Sequence, residues 1–533
     1  MKKLFATLIT IGFCINAISQ ETRIWTDDFG ANLSNYYSNH PKIESNGDTI
    51  IVSGVKNSAS GQRFLIVKYN MTGDTISTLE FGKDSVSNSR LIDYKYGTDK
   101  SLYLLQQDYL EFYKSKIVIQ KYTNNGDLIW VQQIQNFADT SYTPNSLAIV
   151  NDTCIFVNGY KEYDYPEEGD DVIMTTSIPL IYAFNIEGDS LWEKQFNPAT
   201  EIDYFMHKMI SYNNKALLFG NNSSTYYCLL EIGLDKSVNV TNDLEIENGI
   251  NHVLFTSDNK MLITSGTKYR ITKLGFDGKQ IWTSYYGTFL PSNVSGDEIK
   301  SIIQQENGNI IVTGRHYGDE YNTENYTNAD ILTLKYDKEG NLIWENRFEY
   351  NGDNADIGNS LCLKNGFVYI GGQSQRLGKG TDYDYVVLKL DTVNGTNEGT
   401  YRFNNTSDGD DAVSSICVFD DGKVALTGLS KSNSSFNWTT QLLSDVITSI
   451  NQISKKSEIL IYPNPVEQNG FINVLNSGFD SYTIADMNGR IVSSGLLNES
   501  TENKISTINF KKGIYFLTLK NELNAITNKL IVK

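Results

Sequence analysis

The sequence is poor in the residues that site chemistry most often uses. Its 533 residues hold only 4 His, 5 Cys and 8 Pro. So few imidazoles restrict acid–base and metal designs. There is no Gly-x-Ser-x-Gly elbow, no His-Glu-x-x-His and no phosphate-binding Gly loop. No two cysteines stand in Cys-x-x-Cys or in metal spacing with histidine. Beyond the N-terminus no run is apolar enough to cross a bilayer. Positive charge is also short: 45 Lys and Arg face 63 Asp and Glu, a net charge of −18 and a pI near 4.8. That balance excludes nucleic acid and anionic membrane surfaces as partners and reads most simply as solubility outside the cell.

What is present is aromatic and repetitive. There are 33 Tyr and 24 Phe, as in sheet-rich proteins. Asp330 to Tyr336 alternates with the strand period of two, Asp337-Lys338-Glu339-Gly340-Asn341 is turn chemistry, and Leu342-Ile343-Trp344 begins a return strand. The same hairpin recurs: Ile66 to Ile76 through Gly73, Ile119 to Trp130 through Gly126, Tyr182 to Trp192 through Gly188, and Ile271 to Trp282 through Gly278. Val387 to Leu390 opens a copy with a longer turn and no Trp, and Leu229 to Ile232 opens the most eroded one. Five of the 6 Trp, Trp25 among them, fall in one repeat column.

An upstream hairpin belongs to each copy, as in Ile299 to Gly314. Two hairpins make four antiparallel strands, the unit of a β-propeller blade. Copies begin near His40, Ser89, Asn145, His207, His252, Lys300, Asn359 and Ser414, at roughly 50 residues each. The fold expected is therefore all-β: an eight-bladed β-propeller over 20–443, with seven blades as the alternative if the eroded copy is miscounted. The last copy lacks an Ile-Trp strand after Phe436 to Leu442, whereas Thr22 to Gly30 reads like one. The N-terminal strand is expected to close the ring, since an open ring would leave strand edges in water.

Residues 1–19 read as a secretory signal: Lys2-Lys3, an apolar run from Leu4 to Ile15, and a cut after Ser19. Phe13 before Cys14 is too bulky for a usual lipobox. The remaining cysteines, Cys154, Cys228, Cys362 and Cys417, lie in expected strands and are read as free thiols. Cys362 and Cys417 occupy matching places in adjacent copies, which leaves a disulfide between them open.

Residues 444–457 read as a linker, and 458–533 as a separate small β-sandwich of short alternating strands. Leu460-Ile461-Tyr462-Pro463-Asn464-Pro465, Asp486-Met487-Asn488-Gly489-Arg490-Ile491-Val492 and Gly513-Ile514-Tyr515 stand in this order in the tail. The tail resembles the type A C-terminal sorting domain of the type IX secretion system. The resemblance assigns the sorting motif to Pro463, Asn464, Pro465, Asp486, Gly489, Arg490, Gly513 and Tyr515. It implies the type IX machinery as a partner, export across the outer membrane, and display on the cell surface or release. The upstream region is similar, more loosely, to bacterial β-propeller repeats of the SBBP-like kind, a likeness that brings no activity with it.

Three sets of residues are candidates for binding. The Asp-rich pieces Asp408 to Asp411, Gly352 to Asp356 and Gly296 to Glu298 precede first strands. They leave calcium open as the one cofactor, though none follows the twelve-residue calcium-loop pattern and Asx turns account for them better. Insertions at Glu162 to Asp171, Tyr317 to Tyr326 and Lys379 to Tyr385 fall between second and third strands, on one face by topology. Their Tyr163, Tyr165, Tyr321, Tyr326 and Tyr383 suit sugar stacking or a protein partner, and loop drift is the plain alternative. His40, His207 and His252, with Asn145, Lys300 and Asn359, are placed at inner-strand starts, forming a polar ring at one mouth of the channel. An anion or polar ligand fits such a ring better than a three-His metal, and a merely water-facing ring is the plainer alternative. The functional expectation is a monomeric, exported propeller that binds a glycan or protein. The alternative is a polysaccharide lyase or glycoside hydrolase on the same scaffold.

Overall fold

A computed structural model describes residues 23–33, 40–58, 61–82, 89–110, 114–135, 140–166, 173–196, 205–221, 227–246, 249–265, 269–286, 297–317, 329–350, 355–375, 382–404, 409–432, 435–444, 461–475, 479–487, 490–497, 502–520 and 525–533. The chain forms two compact units that divide between Ser449 and Ile450.

Among the described residues, the first unit contains eight four-stranded antiparallel sheets. Seven follow chain order. The first is Lys42–Asn46, Thr49–Ser58, Gly61–Tyr69 and Thr75–Phe81. The eighth orders Asp411–Val418, Val424–Ser432 and Ser435–Leu443, and then takes Arg23–Leu33 as its outer strand. Trp25 pairs with Leu442, and Phe29 with Trp438. The closing strand expected from Trp25 is thus in place. The eroded fourth copy is also a complete sheet, from Phe205–Tyr212 to Val238–Leu244.

Burial of the two sheet faces makes the ring. Apolar clusters lie between successive sheets, and one joins the eighth, first and second through Trp438, Leu429, Phe64, Leu65 and Leu91. Trp438 is fully buried there, with the Gly54 backbone against its ring. First strands pack together in most successive pairs of sheets, as at the third and fourth, and among the described residues no two fourth strands pack as closely. The first strand of each sheet is therefore the inner one, and the sheets form a propeller around an axial channel.

The repeated tryptophan is a latch between neighbours. Trp282 of the fifth sheet lies over Gly340 in the last turn of the sixth, and its indole donates to the Lys338 carbonyl at 3.1 Å. Gly340 has φ 89, and a Cβ there would fall 2.8 Å from the indole. Trp130 reaches Ile186 in the same way at 3.0 Å, and Trp344 reaches Thr392 at 3.1 Å. Trp192 breaks the pattern. The fourth sheet carries Lys236 (φ 71) where the others have glycine, and the Trp192 Nε1 has no partner among the described residues.

Two of the three insertions are shorter than the sequence suggests. In the third sheet the second and third strands, Cys154–Pro166 and Ile173–Asn185, stay paired out to Pro166 and Ile173. Tyr163 and Tyr165 are therefore strand residues. In the seventh, Tyr383 begins the strand Tyr383–Asp391, and Tyr385 is fully buried with its hydroxyl on the Thr439 carbonyl at 3.0 Å. Alternation decides this: Tyr385 and Val387 share the face that packs on the eighth sheet. Tyr321 and Tyr326 lie outside the described residues.

The second unit is two sheets around one core. A three-stranded sheet contains Phe471–Leu475 and Glu502–Ser506, and a four-stranded one contains Ser481–Asp486 and Gly513–Lys520. Ile472, Val474 and Ile505 meet Ile484, Leu517 and Leu519 between them.

Candidate functional site

The inner strands carry a local irregularity that sets the geometry of the axial mouth. Six of them bulge at one residue, so that one side chain leaves the ladder. The bulged residues are Ile92, Asn145, His207, Lys300, Asn359 and Ser414. Asn145, His207, Lys300 and Asn359 therefore do share one column. His40 and His252 do not. His252 pairs opposite Thr264, as Ser301 pairs opposite Thr313, one place beyond the column. His40 precedes the first paired residue, Lys42. Counting back from a glycine misplaced both: the hairpin of the first sheet is one residue shorter, with Lys42 opposite Ser53, and in the fifth sheet Ser265, not Gly266, stands where the sixth has Gly314. His207 lies in its strand with a side chain outside those described.

The position after the bulge has a structural job in several sheets. Asp93 accepts the Leu147 amide of the next inner strand at 3.1 Å. Ser146 accepts that of Met209 at 2.8 Å, and Ser415 that of Ile43 at 3.1 Å. In register, the same position holds Lys42 in the first sheet, Lys208 in the fourth and His252 in the fifth. An ammonium cannot accept a hydrogen bond, so Lys42 and Lys208 cannot make this tie.

These side chains influence one another electrostatically. Burial lowers the Lys208 pKa, and Lys95 and Lys42 lower it further against the pull of Asp93. Lys208 is itself exposed to solvent. Burial also holds His252 down, with Lys208 and Lys300 adding to the effect while the Ile299 carbonyl and Glu298 oppose it. His40 is lowered by burial and by Lys300. Lys300 pairs with Glu298 at 2.7 Å, Lys95 with Asp93 at 2.6 Å, and the Lys42 ammonium stands 5.4 Å from the centre of the Tyr94 ring. Lys42, Lys95 and Lys208 were not candidates in the sequence. Their only signal was their place on three inner strands, which shows once the register is known.

A second polar cluster lies at the inner-strand starts of the sixth to eighth sheets. Asp297 takes the Tyr317 amide at 2.8 Å and shares a hydrogen bond with His316 Nδ1 at 2.9 Å. Asp356 accepts the Tyr350 amide at 2.7 Å, and its other oxygen has no partner among the described residues. Burial pushes its pKa up to about 7, with Ser374, the Tyr350 amide and Arg402 opposing. Arg402 stacks 3.5 Å from the Tyr350 ring centre and pairs with Asp384 at 3.0 Å. Tyr383 is raised by burial and by Tyr317 and Asp410 close by, while Arg315 pulls the other way. Among the described residues, no three His, Cys, Asp or Glu gather as they would for a metal ion. Cys154, Cys228, Cys362 and Cys417 are free thiols.

In the second unit the three motifs of the tail have visible work. Asn464 donates to the Lys529 carbonyl at 2.7 Å and accepts the Ile531 amide at 2.9 Å, holding the Pro463-Asn464-Pro465 segment on the last strand. Asp486 takes the Arg490 amide at 3.1 Å and its guanidinium at 3.2 Å across a turn. Gly513 begins the strand in which Tyr515, nearly buried, packs on Phe510 and donates to the Lys511 carbonyl at 2.8 Å. Gly489 lies outside the described residues. Residues 460–533 match the secretion system C-terminal sorting domain. The sorting domain makes the secretion machinery a partner, and it marks the chain for export across the outer membrane to the cell surface or extracellular space. No curated protein matches the chain. Among solved structures it is similar to a streptogramin B lyase, at 12% identity over 78% of this chain and 97% of that one, with a TM-score of 0.36. It is similar to the WD40 domain of SCAP from fission yeast at 10% identity, over 79% and 98%, with a TM-score of 0.39. It is also similar to the polysaccharide lyase Uly1 at 12% identity, over 77% and 92%, with a TM-score of 0.33. No helix among the described residues is long and apolar enough to cross a membrane.

Proposed function

We propose that the protein is an exported binding protein whose propeller takes an extracellular glycan on the face where the inner strands begin. Residues 1–19 act as the leader for the first export step, and the sorting domain directs the second. The observation that carries the binding assignment is the convergence on Tyr383. This side chain of the seventh sheet stands within electrostatic reach of Tyr317 and Arg315 from the sixth and Asp410 before the eighth. Arg315 itself lies 5.9 Å from the Tyr317 ring centre. Aromatic faces beside a guanidinium and a carboxylate supply what a sugar needs: surfaces for its C–H faces and partners for its hydroxyls.

The test is a glycan array with the purified full chain, followed by titration of each hit against Tyr317→Ala and Tyr383→Ala. Each variant is expected to weaken binding about tenfold, close to 1.4 kcal/mol. Full binding by both variants would sink the assignment. A hit list empty of glycans, with capture of one purified surface protein instead, would favour a protein ligand on the same face.

A further inference from the structure

The sorting motifs of the second unit are occupied in folding it. Asn464 bonds twice to the last strand, Asp486 holds Arg490 across a turn, and the Tyr515 hydroxyl donates to the Lys511 carbonyl. Tyr515 faces the core, and Phe516, next to it in the same strand, faces out. A domain recognised by the secretion machinery must offer that machinery side chains which its own fold does not use. Exposed apolar groups are such side chains, and the four-stranded sheet gathers several of them.

That sheet runs Ile491–Leu496, Ser481–Asp486, Gly513–Lys520 and Ala525–Val532 in spatial order. Ile491 and Phe516 both stand opposite Ala485, one on each side, and Lys529 stands opposite Phe516. Residues opposite one another share a face of the sheet. Ile484, Leu517 and Leu530, their chain neighbours, lie in the core, so this row faces away from it. Ile491 is 62% exposed and Phe516 43%, with only the small side chain of Ala485 in register between them. Met487, just past the end of Ser481–Asp486, is 70% exposed. Single exposed apolar residues are ordinary, whereas adjoining ones mark a contact surface. Ile491–Leu496 is also an edge strand, paired on one side only among the described residues. No Asp or Glu stands in register on this face, while Lys529 and Lys520 do. Neither lysine forms an ion pair among the described residues. Residues 461–533 hold 7 Lys and Arg against 6 Asp and Glu, so the −18 of the chain is carried upstream.

We propose that this outward face, centred on Ile491, Ala485 and Phe516 with Lys529 at its rim, is the surface by which the secretion machinery recognises the tail, and that the machinery meets it with an apolar patch flanked by carboxylates. The match of residues 460–533 to the sorting domain supplies the occupant, and the proposal rests on it. Charge sets the flank. Unpaired lysines on an otherwise acidic chain steer the tail, rather than the rest of the protein, toward an acidic surface. Burial of the adjoining Ile491 and Phe516 then supplies the affinity.

The experiment follows export of the full chain in a Gram-negative host that has the type IX machinery, scoring protein on the surface and in the medium against protein in the periplasm. Ile491→Thr combined with Phe516→Thr removes the apolar row and keeps strand-forming residues. Lys529→Glu reverses the rim charge and Lys529→Arg keeps it. Phe471→Thr is the control, since Phe471 is 55% exposed but lies in the other sheet. The double variant and Lys529→Glu should each slow export about tenfold, with the chain held in the periplasm. Lys529→Arg and Phe471→Thr should be exported like the parent, and the purified double variant should melt like the parent. If the double variant and Lys529→Glu are exported at the parent's rate while a chain lacking residues 461–533 is not, the sorting assignment stands and this surface is wrong. If the chain lacking 461–533 is exported as well, the sorting assignment fails and the surface with it. If the double variant is retained but its second unit no longer melts as a folded domain, Lys529→Glu decides, and its export at the parent's rate sinks the surface. Retention of Phe471→Thr as strong as that of the double variant would also overturn it. A parent that sediments as a dimer and a double variant that sediments as a monomer, with export unchanged, would make a second copy the occupant instead of the machinery.

Discussion

The indole Nε1 of Trp25 donates to the carbonyl of Met71 at 3.2 Å. Trp25 lies in the outer strand of the eighth sheet, and Met71 in the last turn of the first. The contact repeats, at the seam of the ring, the latch that Trp130, Trp282 and Trp344 make elsewhere. Gly73 completes it, its φ of 90 bringing the turn against the ring.

Removing residues 23–33 should therefore destabilise the whole first unit rather than fray one edge. The deletion strips a strand from the eighth sheet and takes Phe29 from beside Trp438, where the rings are 5.9 Å apart. The melting temperature is expected to fall by about 10 °C or more, as for a loss of several kcal/mol. Trp438→Ala, in the same core, should cost about 3–5 kcal/mol. Calorimetry showing an unchanged transition for the deletion would contradict the closed ring.

The latches should not be equivalent. Trp282→Phe keeps an aromatic ring but loses the bond to Lys338, a cost of about 1 kcal/mol for the bond alone. Trp192→Phe loses no such bond, since the Trp192 Nε1 has no partner among the described residues, and should cost only the packing lost to a smaller ring. Lys236→Gly, which relieves a non-glycine residue at φ 71, should stabilise the protein by up to about 1 kcal/mol. Denaturant midpoints of the three variants decide the matter.

Asp356 should make the first unit less stable as pH rises. Its pKa is raised in the folded chain to about 7, so the native state holds the proton more tightly than the unfolded one. The stabilising contribution of the neutral carboxyl is complete below about pH 4, the unfolded value, and is lost as pH climbs through about 7. Asp356→Asn keeps an acceptor for the Tyr350 amide and carries no charge. It should melt higher than the parent at pH 8 and show a flatter pH profile between 4 and 8. Parallel profiles for the two proteins would rule the effect out.

Without residues 461–533 the propeller should fold but stay inside the outer membrane. Fractionation should find the truncated chain in the periplasm. Asn464→Ala, which removes two hydrogen bonds to the last strand, should lower melting of the second unit and reduce export together. Normal surface delivery of the truncated chain would refute the sorting assignment for the tail.

Much of the fold was legible because its signals are local. Residues 330–344 carry strand alternation, an Asx turn with a positive-φ glycine and a returning Trp within fifteen positions, and the chain repeats them. The tail was legible because Asn464, Asp486 and Tyr515 each bond to backbone nearby in the fold, which ties their identities to the motif. The axial site was not. Hairpin length and the place of the glycine vary by one residue between copies, so His40 and His252 were aligned with Lys300 when each stands one place from its column. Lys42 and Lys208 were not singled out, since their shared register shows only once the strands are paired. Tyr385 was read as loop because Asp382 and Asp384 before it hid an alternation that continues into the core.

The seam of the ring also bears on when the protein can fold. The eighth sheet joins residues 23–33 to 411–443, so its strands are the first and nearly the last of the first unit to be synthesised. A chain delivered from its N-terminus must keep Arg23–Leu33 waiting through some four hundred residues. Pairing at such separation is slow, and until it occurs no edge of the ring is sealed. A product cut short before Ser435 can neither close nor carry an export address. Circularity thus acts as a check on completeness: a chain long enough to close the ring is nearly long enough to be addressed for export.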